Sequence, residues 1–424
     1  MSALIVIIPL FDGNMAVKAY KLGDHDSEIA LDIRDDFRGR PQIYYMPGLE
    51  LVQQLGLETF SGDMPLFVDA NRFHVLNGMF ANKSIPPDKL ILNLNVPGML
   101  PADDELLTGL KEIKEQGYGL ALRGWPEEGL ENPMYGFADH IILDFRDKKF
   151  RDRLNAVRRR HPDKGIIFSH LPDMEAYLEY SPSPNTLFTG DFYNNPITSG
   201  SSEISPLKAN AFRLLRQINE DDFELRNIAG TIERDPSLSI SLLRFINSAA
   251  VGLRSKVSSI NGAVAILGQK EVRRWATVAL SVEIFLDRPS EIVRLSLVRA
   301  KFAENLAGLF ELGVFQNSLF LTGLFSLLDV ILEKPMEEAV KEVAVDNLVR
   351  EALVNRSGNL YKVLDFMYAY ERADWNKVSI ITINSDIKGA AVGQAFVDAL
   401  TWYHQLLDSI DAMEENESSE DTEK

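Results

Sequence analysis

The 424-residue sequence contains no cysteine and only six histidines. The absence of cysteine excludes disulfides, thiolate zinc sites and cysteine nucleophiles, and it is consistent with a reducing compartment. Basic residues are also scarce, since 44 Lys and Arg stand against 62 Asp and Glu, a formal net charge of −18. This charge argues against a general nucleic-acid-binding protein, which needs a basic face to neutralise phosphates.

Long hydrophobic runs are missing as well. We find no stretch that approaches the roughly 20 apolar residues needed to span a bilayer. The apolar segment 4–10 has no basic residues before it and no small-residue cleavage site, and Asp12-Gly13 follows it. This pattern predicts a first strand and a turn rather than a signal peptide. A cytoplasmic protein without membrane contacts is the simplest expectation.

The first 197 residues alternate short apolar runs with helical patterns. The runs that predict strands are 4–10, 65–70, 89–95, 119–125, 140–145, 165–170 and 186–192. Runs this continuous are typical of strands buried on both faces, as in a parallel sheet. Between them, 102–117 predicts a helix with an aspartate cap at its start and Gly117 at its end. Repeated strand–helix units of this kind indicate a β/α barrel or a doubly wound sheet.

The composition changes after this region. A polar stretch rich in Gly, Ser and Pro at 194–206 predicts a linker, which we place at 198–206. Residues 207–407 read almost entirely as helix. The last segment, 408–424, is acidic and nearly free of apolar residues, so we expect it to be disordered.

The helical half resembles the HDOD family, a helical relative of the HD phosphohydrolases, over roughly residues 205–400. The pieces that carry the resemblance are Asp235-Pro236, Leu242-Leu243-Arg244, Asn247-Ser248-Ala249, Gly252, Ser259-Ile260, Ala263 and Leu267-Gly268. Segments 320–340 and 369–375 resemble later parts of the same domain. The resemblance implies a bacterial signalling domain that mediates protein–protein contacts.

An HD-type hydrolytic site needs histidines and aspartates to hold divalent metals. None of the six histidines lies between residues 205 and 400. The helical half is therefore predicted to be metal-free and not a histidine-ligated hydrolase.

The first half resembles an EAL domain, a β/α barrel that hydrolyses cyclic di-GMP with two divalent cations. The segment 8–22 resembles the opening hairpin and strand of such a domain. Further segments follow in the family's order: 65–72, 86–95, 103–122, 136–145 and 186–196. Together the two resemblances imply an EAL domain fused to an HDOD domain.

Most positions at which this resemblance implies active-site residues carry different chemistry. The resemblance implies a glutamate on the first strand, where this sequence has Lys21. It implies an asparagine on the next strand, where the sequence has Asp69, and then a second glutamate, where the sequence has Asn93. The paired aspartates fall at Arg123 and Gly124.

Later positions continue this pattern. The resemblance implies a lysine where this sequence has Ile142. The aspartate expected on the same strand is present as Asp144. A glutamate expected within 165–173 is absent, with Phe168 or Ser169 in its place. The glutamine of the last strand falls at Thr189.

Two divalent ions need several hard oxygen ligands, and Lys21 and Arg123 would repel them. We therefore interpret the barrel as catalytically dead, with no metal and no cofactor. The leading hypothesis is a non-enzymatic signalling or scaffold protein. A second is a receptor that binds cyclic di-GMP or another anion without hydrolysing it, because an arginine can grip a phosphate. A third is a cyclic di-GMP phosphodiesterase that uses unrecognised residues.

Two further features have more than one interpretation. The basic segment 146–164 is an anion-binding or docking patch or, more simply, a solvated barrel helix. A partner surface in the helical half is predicted around Asn247, Arg254, Arg273 and Arg274, since Arg is favoured at interface hot spots. The alternative places both Arg273 and Arg274 on a solvated face with Trp275 in the core.

Overall fold

The computed structural model describes residues 4–24, 46–78, 80, 85–126, 129–194, 211, 214, 215, 218, 224–233, 236–247, 256–285, 290–343 and 345–420. They belong to two compact units. The first draws its residues from Met1–Asn195 and Phe366–Gln394, the second from Pro196–Asp365 and Ala395–Lys424. The predicted domains are contiguous in sequence, so the membership of Phe366–Gln394 in the first unit differs from the prediction. A helical pattern alone does not reveal which core a helix packs against.

Eight described strands form a closed barrel in sequence order. They are β1 Ile5–Phe11, β2 Val17–Asp24, β3 Leu66–Ala70, β4 Leu90–Asn95, β5 Gly119–Arg123, β6 His140–Asp144, β7 Gly165–Leu171 and β8 Thr186–Gly190. Strand β1 runs antiparallel to β2 and β8, and the other neighbouring pairs are parallel. The predicted β/α barrel is confirmed, and the doubly wound alternative is wrong.

Strand β2 is absent from the apolar runs predicted above, although 8–22 resembles an opening hairpin. Lys18 and Lys21 interrupt its apolar residues, so it does not read as a strand buried on both faces. Asp12 holds the turn that joins β1 to β2, because its Oδ1 accepts hydrogen bonds from the backbone amides of Asn14 at 2.8 Å and Ala16 at 3.0 Å.

The barrel interior is filled by one layer of apolar side chains. Its members are Leu10, Ala19, Phe67, Ile91, Ala121 and Ile167, with Ile142 and Leu187 packed against them. Successive side chains of a strand point to opposite faces, so the residue two positions later points inward again. Two positions beyond these core residues the sequence carries Lys21, Asp69, Asn93, Arg123, Asp144, Ser169 and Thr189. The strand period thus places six of the eight predicted site positions above the core, at the carboxyl ends of the parallel strands, whereas Ile142 packs against the core layer itself.

Helices connect the strands. Those before residue 195 are α1 Pro47–Leu55, α2 Glu58–Ser61, α3 Arg72–Asn77, α4 Val96–Met99, α5 Asp104–Glu115, α6 Phe150–Arg160 and α7 Met174–Tyr180. Short 3-10 turns lie at Pro87–Lys89, Gly129–Glu131, Pro133–Phe137 and Phe192–Asn194. The predicted helix 102–117 corresponds to α5, where the Asp103 carboxylate accepts a hydrogen bond from the Leu106 amide at 3.0 Å. Gly117 ends this segment with a φ of +93°, which favours glycine.

The rest of the described chain is helical. Its α-helices are α8 Leu225–Ile232, α9 Pro236–Asn247, α10 Ile260–Phe285, α11 Ser290–Leu306, α12 Gln316–Leu324, α13 Leu328–Leu332, α14 Met336–Val343, α15 Asn347–Arg350, α16 Gly358–Glu371, α17 Trp375–Asn384 and α18 Gly389–Glu420. Turns of 3-10 helix lie at Gly313–Phe315 and Phe325–Leu327, and a π-helical turn lies at Glu351–Asn355. The predicted all-helical second part is confirmed.

Two predictions at the borders of this part have different outcomes. The predicted linker 198–206 lies outside the described residues. Helix α18 continues to Glu420, into the segment 408–424 for which we expected disorder, and 421–424 lie outside the described residues. Glutamate and methionine are good helix formers, which allows an acidic segment to extend an existing helix.

One segment of the helical part passes a membrane-span test by length and composition. Gly313–Leu332 has 20 residues, and its most apolar stretch has a mean hydropathy of 1.5 and is 56% buried. The expectation that no stretch approaches this length is therefore wrong. A core segment of a globular domain passes the same test, and four separate helical elements divide this one.

Candidate functional site

A cavity of about 300 Å³ opens at the carboxyl ends of the parallel strands. Seven of the eight predicted site positions line it: Lys21, Asn93, Arg123, Gly124, Ile142, Asp144 and Thr189. The eighth, Asp69, contacts three of these residues. The sequence positions chosen by resemblance to an active site therefore come together in space.

One carboxylate beside this cavity lies between two cations. Asp69 Oδ2 is 3.3 Å from Lys21 Nζ, and Asp69 Oδ1 is 3.9 Å from Arg123 Nε. The side chain of Asp69 is only 4% exposed, whereas those of Lys21 and Arg123 are 26% and 33% exposed. We call these three residues the barrel cluster.

Asn93 completes the surroundings of Asp69. Register places Asn93 directly opposite Asp69 on the neighbouring strand, and its Nδ2 donates a hydrogen bond to Asp69 Oδ1. Both side chains are buried. A buried carboxylate needs such partners, and here an amide and two cations supply them.

Asp144 is the one position at which the aspartate implied by the resemblance is present. Its carboxylate has different partners from that of Asp69. Arg146 donates hydrogen bonds to its two oxygens at 3.0 and 2.8 Å, and His170 Nδ1 lies 3.3 Å from Oδ2. Burial alone would raise the pKa of Asp144, but the hydrogen bonds from His170 and Arg146 outweigh it and hold the pKa well below its usual range.

The backbone conformation and close surroundings of Gly124 favour glycine over aspartate. Its φ is +86°, and a Cβ atom built there would lie 2.6 Å from Pro97 Cδ and 2.7 Å from Asn95 Oδ1. The Tyr135 hydroxyl donates a hydrogen bond to the Gly124 carbonyl at 2.9 Å and fixes this turn. Replacing the glycine by the aspartate of the EAL pattern would strain the turn.

The sequence did not identify several residues of the cavity wall. Trp125 follows Gly124, and the guanidinium carbon of Arg153 lies 4.9 Å from its ring centroid. Arg153 also forms an ion pair with Asp147. Their signal was weak because Asp147 and Arg153 belong to the basic segment 146–164, whose charges looked like a solvated face. His170 belongs to no local histidine or carboxylate pattern in the sequence, and its contact with Asp144 depends on folding.

The donors at this site do not fit a pair of divalent cations. Asp69 is held between two side chains of positive charge, and Asp144 forms a bidentate contact with a third. Mg²⁺ and Mn²⁺ prefer clusters of oxygen ligands without adjacent cations. Within the described ranges, no group of three or more His, Cys, Asp or Glu side chains could hold a metal ion.

Other histidines have local roles away from the cavity. His74 belongs to a capping box at the start of α3, where its amide and ring contact Asn71. His140 begins β6, at the opposite end of the barrel, and burial lowers the pKa of its ring.

The structure describes three of the four residues predicted to form a partner surface in the helical half. Asn247 donates to the carbonyls of Leu243 at 2.6 Å and Val257 at 2.8 Å, and it accepts from the Val257 amide at 2.7 Å. These bonds hold the local chain, and Asn247 is exposed, so its place on a partner surface stays a prediction. Arg254 lies outside the described residues.

The two neighbouring arginines of that surface differ from each other. Arg274 forms two hydrogen bonds of 2.7 Å with Glu304, and Lys301 Nζ lies 2.8 Å from the same carboxylate. We call Arg274, Lys301 and Glu304 the helical cluster. This bidentate pairing gives Arg274 a structural role, and because its side chain is 26% exposed its place on a partner surface stays a prediction. Arg273 is partly exposed, and Trp275 is buried, as the alternative interpretation predicted.

Residues 204–355 match the HDOD domain family. The predicted extent of this domain, 207–407, reaches further than the matched segment.

Two bacterial proteins are similar over most of the chain. YuxH of Bacillus subtilis, an uncharacterised protein, is 26% identical over 96% of this chain and 100% of its own length. The cyclic di-GMP phosphodiesterase CdgJ of Vibrio cholerae is 24% identical over 76% of this chain and 75% of its own.

Solved structures resemble part of the chain. BlrP1 of Klebsiella pneumoniae, in complex with calcium and cyclic di-GMP, is 15% identical with a TM-score of 0.34. The match covers 45% of this chain and 54% of BlrP1, so it spans about half of that protein. An EAL domain protein of Listeria monocytogenes is 13% identical over 45% of this chain and 87% of its own, with a TM-score of 0.33. The HDOD match, the closed barrel ahead of it and the two sequence relatives support an EAL–HDOD fusion, with the HDOD domain at residues 204–355.

Proposed function

We propose that this chain is a non-enzymatic signalling protein, in which a catalytically dead EAL-type barrel is joined to an HDOD domain that binds a protein partner. The similarity to a cyclic di-GMP phosphodiesterase supports a place in cyclic di-GMP signalling. The loss of catalysis is supported by the barrel cluster.

The single observation that carries the proposal is the pairing of Asp69 with Lys21 and Arg123. Metal-assisted hydrolysis of a phosphodiester needs oxygen ligands that hold the ions and lower the pKa of the attacking water. A divalent ion at Asp69 would have to displace one ammonium and one guanidinium group, and both would repel it at close range.

The scaffold role would depend on contacts rather than on turnover. The HDOD resemblance implies protein–protein contacts, and internal ion pairs such as Arg274–Glu304 stabilise the helical unit that would supply the surface. The residues proposed for that surface are Asn247, Arg254, Arg273 and Arg274.

A hydrolysis assay tests the loss of catalysis. The full chain is incubated with cyclic di-GMP and Mg²⁺ or Mn²⁺, and linear products are separated by chromatography, with an active EAL phosphodiesterase as the positive control. We expect no product above the protein-free background. Metal-dependent product formation by the wild type would overturn the proposal.

A receptor is the second candidate, and the cavity at the barrel mouth favours it. Arg123 and Lys21 both line this cavity and bear positive charge. Calorimetric titration of the full chain with cyclic di-GMP separates the two candidates. Micromolar binding without hydrolysis supports the receptor, and no binding supports a scaffold that acts through its partner alone.

A further inference from the structure

The barrel cluster contains more positive charge than its carboxylate can pair closely. Asp69 alone serves both Lys21 and Arg123, at 3.3 and 3.9 Å. The longer distance exceeds that of a hydrogen bond. Arg123 therefore contributes a full charge to the cavity wall without a close counterion among the described residues.

The hydrogen-bonding state of Arg123 agrees with this charge imbalance. Its Nε is buried and has no hydrogen-bond partner among the described residues. A guanidinium group carries five N–H donors in a planar fork and stays charged at all ordinary pH values. Such a fork matches the oxygens of a phosphoryl group. The Arg123 side chain is 33% exposed and lines the cavity, so the accessible part of the fork can donate to a ligand.

The other arginines of the cavity are already engaged. Arg146 forms a bidentate contact with Asp144, and Arg153 is paired with Asp147 while it lies over Trp125. The binding capacity for an anion is thus concentrated at Arg123, with Lys21 beside it. These two side chains are a third or less exposed, so solvent and salt screen them only in part.

The size and floor of the cavity limit the ligand. Its volume of about 300 Å³ is at the lower end for small-molecule sites. Apolar side chains form the floor, among them Phe67, Ile142 and Ile167. A low-dielectric floor strengthens the attraction between Arg123 and an anion.

We propose that this cavity binds a small phosphoryl oxyanion, held by the Arg123 guanidinium and the Lys21 ammonium. The proposal rests on the loss of metal binding proposed above, because a divalent ion would need the same carboxylate. A phosphoryl dianion suits the site better than a single carboxylate, since two cations share one negative group. The ligand is either free phosphate or the phosphate of a small ester.

Thermal unfolding of the full chain tests this proposal, with inorganic phosphate as the probe and chloride at matched ionic strength as the reference. A ligand that binds only the folded state raises the melting temperature as its concentration rises. We expect this rise for the wild type. For Arg123→Gln we expect phosphate binding to weaken about tenfold or more, because a charge-assisted contact is lost.

Arg151→Gln is the matched control. Arg151 lies on α6, is exposed and pairs with Glu179 at 3.0 Å, and it does not line the cavity. We expect this variant to keep the wild-type response. An absence of response in the wild type beyond chloride, or an equal loss in Arg123→Gln and Arg151→Gln, overturns the proposal.

Asp69→Asn distinguishes a binding site from a merely structural ion pair. It leaves Lys21 and Arg123 without their shared carboxylate, so we expect about tenfold tighter phosphate binding and recovery of lost stability by phosphate. A purely structural cluster would lose stability without recovery, and that result contradicts the proposal. Its failure would leave the non-enzymatic proposal intact, which the hydrolysis assay tests separately.

Titration with glycerol phosphate distinguishes the two sources. Tighter binding of the ester than of inorganic phosphate supports a small phosphomonoester as the ligand. Equal binding supports free phosphate. In both cases the binding must weaken in Arg123→Gln.

Discussion

The barrel and the helical half each place two cations around one buried carboxylate, yet the two arrangements differ. In the helical cluster, Arg274 and Lys301 lie 2.7 to 2.8 Å from Glu304, which is 5% exposed. In the barrel cluster the corresponding distances from Asp69 are 3.3 and 3.9 Å, and both cations line a cavity.

The contrast shows that geometry, rather than the number of charges, separates a structural ion pair from a candidate site. Direct bidentate hydrogen bonds satisfy Arg274, and its guanidinium also lies 5.0 Å from the Phe320 ring centroid. Arg123 has a buried Nε without a hydrogen-bond partner among the described residues, and its side chain lines the cavity. Sequence composition around the two arginines does not reveal this difference.

The largest expected loss of stability comes from a change in the helical cluster. Glu304→Gln leaves Arg274 and Lys301 largely buried without their carboxylate, and we expect the free energy of unfolding to fall by about 3 kcal/mol. Calorimetric melting of the full chain measures it, with Glu311→Gln as the control, because Glu311 is exposed and has no ion pair among the described residues. A loss equal to that of the control would break the contrast.

Asp69→Asn should cost less in chloride buffer. The cations lie further from Asp69 than Arg274 and Lys301 lie from Glu304, so we expect a loss of about 1 to 2 kcal/mol in the free energy of unfolding. The same calorimetric experiment measures it. A loss larger than that of Glu304→Gln would mean that the barrel cluster is the tighter structural pair.

Tyr135 holds the turn beside the barrel cluster. Tyr135→Phe removes the bond to the Gly124 carbonyl, and we expect a loss of about 1 kcal/mol at neutral pH, measured by chemical denaturation. A neutral result would show that Pro97 and Asn95 alone fix Gly124.

The same tyrosine gives a pH dependence. Burial raises the pKa of Tyr135 to about 12 from 10.0 in the unfolded chain. Its contribution is fully present below pH 10 and is lost as the pH rises to 12, by about 1.4 kcal/mol per pH unit. Denaturation across this window should therefore show a shallower decline for Tyr135→Phe than for the wild type, and equal declines would contradict the assignment.

The smallest effect is expected at Arg146, whose side chain is 65% exposed. Arg146→Gln should lower the free energy of unfolding by less than about 1 kcal/mol. The pKa of Asp144 should rise toward its usual range, which an NMR titration of the carboxyl group measures. Since a depressed folded pKa stabilises above the unfolded value of 3.8, the variant should lose less stability than the wild type as the pH falls below 4.

Much of the barrel could be predicted because local patterns determine it. Continuous apolar runs predicted all described strands except β2, where Lys18 and Lys21 interrupt the run. The inward positions of Asp69, Asn93 and Arg123 follow from the strand period once the core residues are known. The resemblance to the EAL pattern identifies these positions from the sequence alone.

The rest depended on contacts between distant parts of the chain. The sequence does not show that Asp69 is shared between Lys21 and Arg123, because 48 and 54 residues separate these positions. His170 reaches Asp144 only through the pairing of β6 with β7. The helical pattern of Phe366–Gln394 gives no sign that this segment belongs to the barrel unit.

The most direct test of the central claim is a Mn²⁺ titration of the full chain with cyclic di-GMP present, followed by the electron paramagnetic resonance signal of aqueous Mn²⁺. A chain of net charge −18 binds some Mn²⁺ without a specific site, so the reference is the double variant Asp69→Asn, Asp144→Asn. We predict the same free Mn²⁺ for the wild type and this variant. Specific uptake of Mn²⁺ by the wild type that the variant lacks would contradict the claim that Lys21 and Arg123 have replaced the metal site.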